Sequence, residues 1–192
     1  VVGAGFWSLF TTSPLHTISN RVLPEFLGVT PGTKSIVIRE MPDNSINYFI
    51  ARGHDIFLGD PDVAPETNPD ISAAVRAAVD GTGITSASTL AEYGISYLFI
   101  KSPAPNSLVR TIDGVGGFSR SSATSSGIVW KVFASLPRVS IQDASGLYTT
   151  IKSSEIGSAD QLTFPGLITL AEKYDGNWKL VVDGKEVPVE KS

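Results

Sequence analysis

Cysteine is absent from the 192 residues, histidine occurs twice and methionine once. The missing cysteine excludes disulfides, thiolate metal sites and a cysteine nucleophile, and it leaves the redox compartment open. His16 and His54 stand 38 positions apart and, with no cysteine to help them, make a poor zinc site. No G-x-S-x-G stretch occurs, so the strained serine turn of the α/β-hydrolases is excluded as well. Basic residues are few and scattered, 15 Lys and Arg against 19 Asp and Glu for a net charge of −4. Nucleic-acid binding depends on clustered cations that displace condensed counterions, so no nucleic-acid partner is expected.

Long apolar runs are also missing. The opening VVGAGFWSLF is ten residues long, against about 20 needed to cross a bilayer. It has no basic leader and no A-x-A site, so it is not a complete signal peptide. It reads either as a packed N-terminal segment or as the trailing edge of a membrane span. The chain opens at Val1 rather than Met, as a processed product or an excised piece would.

What is present is a 42% hydrophobic, 18% charged composition, enough to bury a sizeable core. The length suits one domain or two small lobes sharing that core. KSIVIRE and SINYFIARG are short β-branched and aromatic runs separated by MPDN, and they read as strands joined by a turn. GHDIFLGDPDVAPETNP, rich in proline and acids, reads as a loop. In ISAAVRAAVDG the residues Ile71, Ala74, Val75, Ala78 and Val79 fall on one helical face, with Asp70 as the expected cap and Gly81 as the stop.

Thr89 and Glu92 have capping-box spacing and predict a second, short helix ending near Gly94. SYLFIKS is a continuous apolar run of the kind found in a strand covered on both faces. Asn106 is expected to cap a third helix with Leu108, Ile112 and Val115 on one side. SRSSATSSG reads as a hairpin loop and GIVWKVF as the next strand. This βαβ rhythm predicts an α/β (mixed) fold with a mainly parallel lobe.

Beyond Pro137, RVSIQD, GLYTTIK, GLITLAEK and WKLVVDG read as strands with no helix between them, a C-terminal β lobe resembling part of a sandwich. The expected layout is an N-terminal lead over 1–34 following a membrane span, an α/β lobe over 35–137 and a β lobe over 138–192. In the last of these Asp183-Gly184 supplies a hairpin turn and EVPVE the returning strand. Trp178 then shares a face with Leu180 and Val182, which predicts a plug between sheets. Glu172, an acid inside an apolar strand, is expected to pair with Lys173 or Lys179.

Candidate chemistry is sparse. Asp60-Pro61-Asp62 has the D-x-D form that holds a divalent cation against a diphosphate in many nucleotide-sugar transferases, and Asp55 lies close by. Two acids so spaced in a proline-rich loop also make an ordinary turn. Trp178 is an aromatic platform for a sugar ring or a packed core residue. Trp130, inside IVWKVF, reads as core. Gly114-Val-Gly116-Gly117 does not match G-x-G-x-x-G, and Gly81-Thr-Gly83 lacks the lysine of a phosphate-binding loop, so both are connectors and no cofactor is expected.

Taken in order, PLHTISNRVLPEF, KSIVIRE, INYFIARGHDIFLGDPD, LAEYGISYLFI, GFSRSSATSSGIVWKVF, RVSIQD and LITLAEKYDGNWKLVVDGKEV resemble the extracytoplasmic region of large actinobacterial-type membrane glycosyltransferases. The resemblance covers nearly the whole chain. Lys131 and Ser96 stand where arginine would be expected, and Asn177 is an extra residue between Gly176 and Trp178.

The resemblance implies an external domain on the extracytoplasmic face of the cell membrane, with a cell-envelope glycan or the membrane core of the same chain as partner. It also implies that the nucleotide-sugar site lies in a transferase domain outside this segment, so no catalytic residue carries over to it. Two readings of other classes stay beside this one. The first is a structural interaction module packing on the membrane core or another subunit, and the second is a metal-dependent carbohydrate-active enzyme using Asp55, Asp60 and Asp62.

Overall fold

A computed structural model describes residues 24–28, 33–41, 43, 45–52, 68–151, 165–172, 176 and 178–190. In chain order these form α1 (Glu25–Gly28), β1 (Lys34–Glu40), β2 (Ile46–Arg52), α2 (Pro69–Asp80), α3 (Ser86–Glu92), β3 (Ile95–Lys101), α4 (Asn106–Gly114), β4 (Phe118–Thr124) and β5 (Gly127–Val132). There follow β6 (Val139–Gln142), β7 (Tyr148–Thr150), β8 (Leu167–Leu170), β9 (Leu180–Val182) and β10 (Lys185–Val187).

The protein is α/β. Its main sheet has the order β2-β1-β3-β5-β4, and among the described residues only β1 and β3 pair in parallel. The expected mainly parallel lobe therefore narrows to one parallel pair in a mixed sheet. The reason lies in SRSSATSSG, read from sequence as a loop, most of which is the edge strand β4. The α4 crossover delivers the chain to β4, which runs in the direction of β3, and a tight turn then returns GIVWKV antiparallel between them as β5.

Alternation along the strands sends Ile36, Ile38, Leu98, Ile100, Trp130 and Val132 to one face, where they pack with Ile71, Val75 and Ala78 of α2, Leu90 of α3 and Leu108 and Ile112 of α4. The opposite face gathers Val37, Ala51, Phe99 and Val129 against Leu27 of α1. Burial on both faces explains why β1 and β3 are nearly unbroken apolar runs, each enclosed aliphatic side chain contributing about 1.5–3 kcal/mol.

Helix boundaries differ from the expected ones in three places. Asn68, not Asp70, caps α2: its side chain accepts from the Asp70 N–H, and Pro69 takes the first helical position, where a missing N–H costs nothing. Thr89 is not a cap but lies within α3, which begins at Ser86 and carries no side-chain cap. Asn106 is the first helical residue of α4, with Pro105 at the cap position. Gly81, left-handed at φ 73°, closes α2 as expected.

The C-terminal part consists of a three-stranded antiparallel sheet, β7-β6-β8, and a separate β9–β10 hairpin. The turn Asp183-Gly184 has φ of 49° and 74°, the two positive values a type I′ turn demands. Among the described residues no helix is long and apolar enough to cross a membrane.

Candidate functional site

The Asp-Gly turn fixes the hairpin register, placing Leu180 opposite Val187, Val181 opposite Glu186 and Val182 opposite Lys185. Lys179 and Val181 therefore share a face with Glu186, and the Lys179 Nζ reaches Glu186 Oε2 at 3.1 Å. Next to this pair lies an open depression of about 410 Å3, lined by Gly176, Trp178, Glu186, Val187, Pro188 and Val189. The exposed lining of this depression is mainly polar, and the register puts the Glu186 side chain on the Lys179 and Val181 face, opposite the face that alternation gives to Trp178, Leu180 and Val182.

Trp178 is half-buried rather than the fully enclosed plug expected between sheets. The physical reason is that β9 and β10 pair as a two-stranded sheet of their own, with no further strand hydrogen-bonded to it among the described residues. Sequence reasoning named Trp178 and passed over Glu186 and Pro188. The turn was the available signal, since it folds the returning segment back toward the tryptophan.

Asp55, Asp60, Asp62 and His54 lie outside the described residues, as does Lys173. Among the described residues no three His, Asp or Glu side chains gather into a group that could hold a metal ion.

Of the two lysines expected to pair with Glu172, Lys173 lies outside the described residues and Lys179 is held by Glu186. The two carboxylate oxygens of Glu172 go to Lys34 Nζ at 3.2 Å and Arg138 Nε at 2.9 Å. These side chains keep only 5%, 7% and 12% of their surface, in the order Glu172, Lys34, Arg138. The cluster ties the start of β1 to the segments flanking β6 and β8, and nothing in the spacing of 34, 138 and 172 announces it.

A second polar cluster lies on the helix side of the main sheet. The fully buried Trp130 donates its indole N–H to Asp113 Oδ1 at 2.8 Å, and Arg120 Nε donates to the same oxygen at 3.1 Å. The indole hydrogen bond first, and the Arg120 guanidinium second, hold the Asp113 carboxyl below the usual carboxylate range against the opposing effect of partial burial. Trp130 is thus the core residue expected, with its polar edge satisfied by α4.

Neither family models, nor curated proteins, nor solved structures give any match to this chain.

Proposed function

We propose that this chain is a non-catalytic extracytoplasmic domain of a membrane glycosyltransferase, and that it binds a cell-envelope glycan at the Trp178 depression. The observation that carries the reading is a partly exposed tryptophan, Trp178, bordering an open concavity. An indole face takes the apolar C–H face of a sugar ring, and a carboxylate takes its hydroxyls. Lys179 neutralises Glu186, so the lining favours a neutral, hydroxyl-bearing ligand over an anionic one. The family-like order of motifs supports the membrane and envelope setting.

Calorimetric titration with arabinan, galactan and mannan fragments tests this reading. Binding that disappears in Trp178→Ala supports it, and no binding to any of the three sinks it.

One observation favours a structural interaction module instead. Gln142 of β6 is flanked in register by Tyr148 of β7 and Leu167 of β8, which expose 40% and 65% of their surface, and the neighbouring Leu147 exposes 65%. In this reading the membrane core of the same chain covers that rung. Leu167→Lys then weakens activity or assembly of the whole transferase while glycan binding by this domain is unchanged, and an unaffected transferase counts against it.

A further inference from the structure

The buried Lys34, Arg138 and Glu172 cluster sits where four stretches of chain converge. Ala171, directly after β8, donates its N–H to Arg138 O at 2.9 Å, and its own carbonyl accepts a hydrogen bond from Lys34 Nζ. Lys34 Nζ also reaches Tyr93 O at 3.3 Å, in the turn between α3 and β3. That turn is closed by Gly94 at φ 71°, where a Cβ would stand 2.9 Å from the Ala171 Cβ, so only glycine admits the approach. Leu136 N–H, on the way to β6, donates to Ala91 O at 3.0 Å and holds the fourth stretch in place.

Apolar contact would hold these segments together without dictating their angle, because hydrophobic attraction is not directional. Charge-assisted hydrogen bonds are directional. Taking three charges out of water costs so much that such clusters add little net stability relative to apolar side chains of similar volume, and specificity of arrangement is the use that remains. Glu172 lies six positions before Trp178.

We propose that the Lys34–Glu172–Arg138 cluster is a positioning device. It fixes the end of β8 against the start of β1 and thereby sets the placement of the Gly176 and Trp178 surface relative to the main sheet. Its importance for ligand binding rests on the reading of the Trp178 depression as the glycan site, but its structural effect does not.

The test uses the 15N-labelled protein, with the Trp178 indole resonance identified by its loss in Trp178→Phe. Glu172→Gln is expected to lower the melting temperature and to shift or split the Trp178 indole signal and the β8 and β9 amides, while β3 and β5 amides keep their positions. Arg138→Lys keeps the charge but loses the planar fork. It is expected to shift the same signals with a smaller loss in melting temperature, and it decides the matter should Glu172→Gln not fold.

The triple replacement Lys34→Met, Arg138→Met, Glu172→Leu is expected to regain melting temperature while leaving the Trp178 signal displaced. An unchanged Trp178 signal in Glu172→Gln or Arg138→Lys overturns the proposal. So does a triple variant that recovers both stability and the wild-type signal, since the cluster would then contribute stability alone. Titrating the wild-type protein with glycan separates the two ideas: absence of binding there removes the ligand reading and leaves the indole result standing.

Discussion

Trp130 and Asp113 are joined by a 2.8 Å hydrogen bond from the indole Nε1 to Oδ1, which fastens the C-terminal turn of α4 to the middle of β5. Arg120 of β4 completes the group, with its guanidinium carbon 5.9 Å from the Trp130 ring centre and two donors on the Asp113 carboxylate. One acid thus ties a helix to two strands.

That acid should be visible in the pH dependence of stability. Because the folded state holds the Asp113 carboxyl below its ordinary value, its contribution is complete above the unfolded value, about 4, and fades as pH falls through the lower folded one. Asp113→Asn should therefore flatten the acid limb of the stability curve and leave its neutral-to-alkaline shape unchanged, as read by denaturant titration between about pH 2 and 7. The side chain keeps 35% of its surface, so solvent screening makes the difference small. An acid limb identical to wild type would show that the indole and guanidinium do not favour the ionised form.

Gly94→Ala tests the close approach at the junction. The added methyl meets the Ala171 Cβ at 2.9 Å in a left-handed backbone, and both effects oppose folding. Backbone strain and overpacking of this kind each cost about 1–3 kcal/mol, so a loss of several kcal/mol is expected in urea unfolding. A loss below about 0.5 kcal/mol, the range of a neutral surface change, would mean that Ala171 does not pack there.

Lys34→Met removes one of the cations that meet the Glu172 carboxylate. Breaking a buried ion pair from one side costs about 3–5 kcal/mol, more than the lysine stem alone would forfeit. Chemical denaturation should show that loss, and wild-type stability would mean that the charge of Lys34 is not needed beside Glu172.

Trp178→Ala should cost about 2 kcal/mol, below the 3–5 kcal/mol of a fully enclosed indole, because the ring is only half-buried. Glu186→Gln, at an exposed position, should change stability by less than about 0.5 kcal/mol. Measured together by thermal unfolding, a large cost for Glu186→Gln or none for Trp178→Ala would contradict the hairpin geometry.

Much of the main sheet was legible because its signals are local. KSIVIRE and ISYLFIK are apolar enough to demand burial on two faces, and the 71, 74, 75, 78 spacing leaves the long helix no other face to bury. Strand β4 was hidden because F-S-R-S-S-A-T forms an exposed edge, where hydroxyls and one arginine satisfy the strand without any apolar alternation. With β4 missed, β5 inherited the wrong direction.

The Glu172 partners were illegible for another reason. Lys34 and Arg138 meet that carboxylate only through tertiary packing, and a nearer lysine in sequence, Lys179, is taken by Glu186. That Trp178 leads into the hairpin was legible from the Asp-Gly turn. Its degree of burial was not, since that depends on whether another sheet covers the hairpin.

The most direct test of the glycan reading is a titration of the 15N-labelled protein with neutral arabinan, galactan and mannan oligosaccharides, followed at the Trp178 indole and the Glu186 to Val189 amides. The account predicts saturable shifts concentrated on those signals, abolished in Trp178→Ala and weakened in Glu186→Gln. No shift with any oligosaccharide, or saturable shifts confined to residues away from the hairpin, would contradict it.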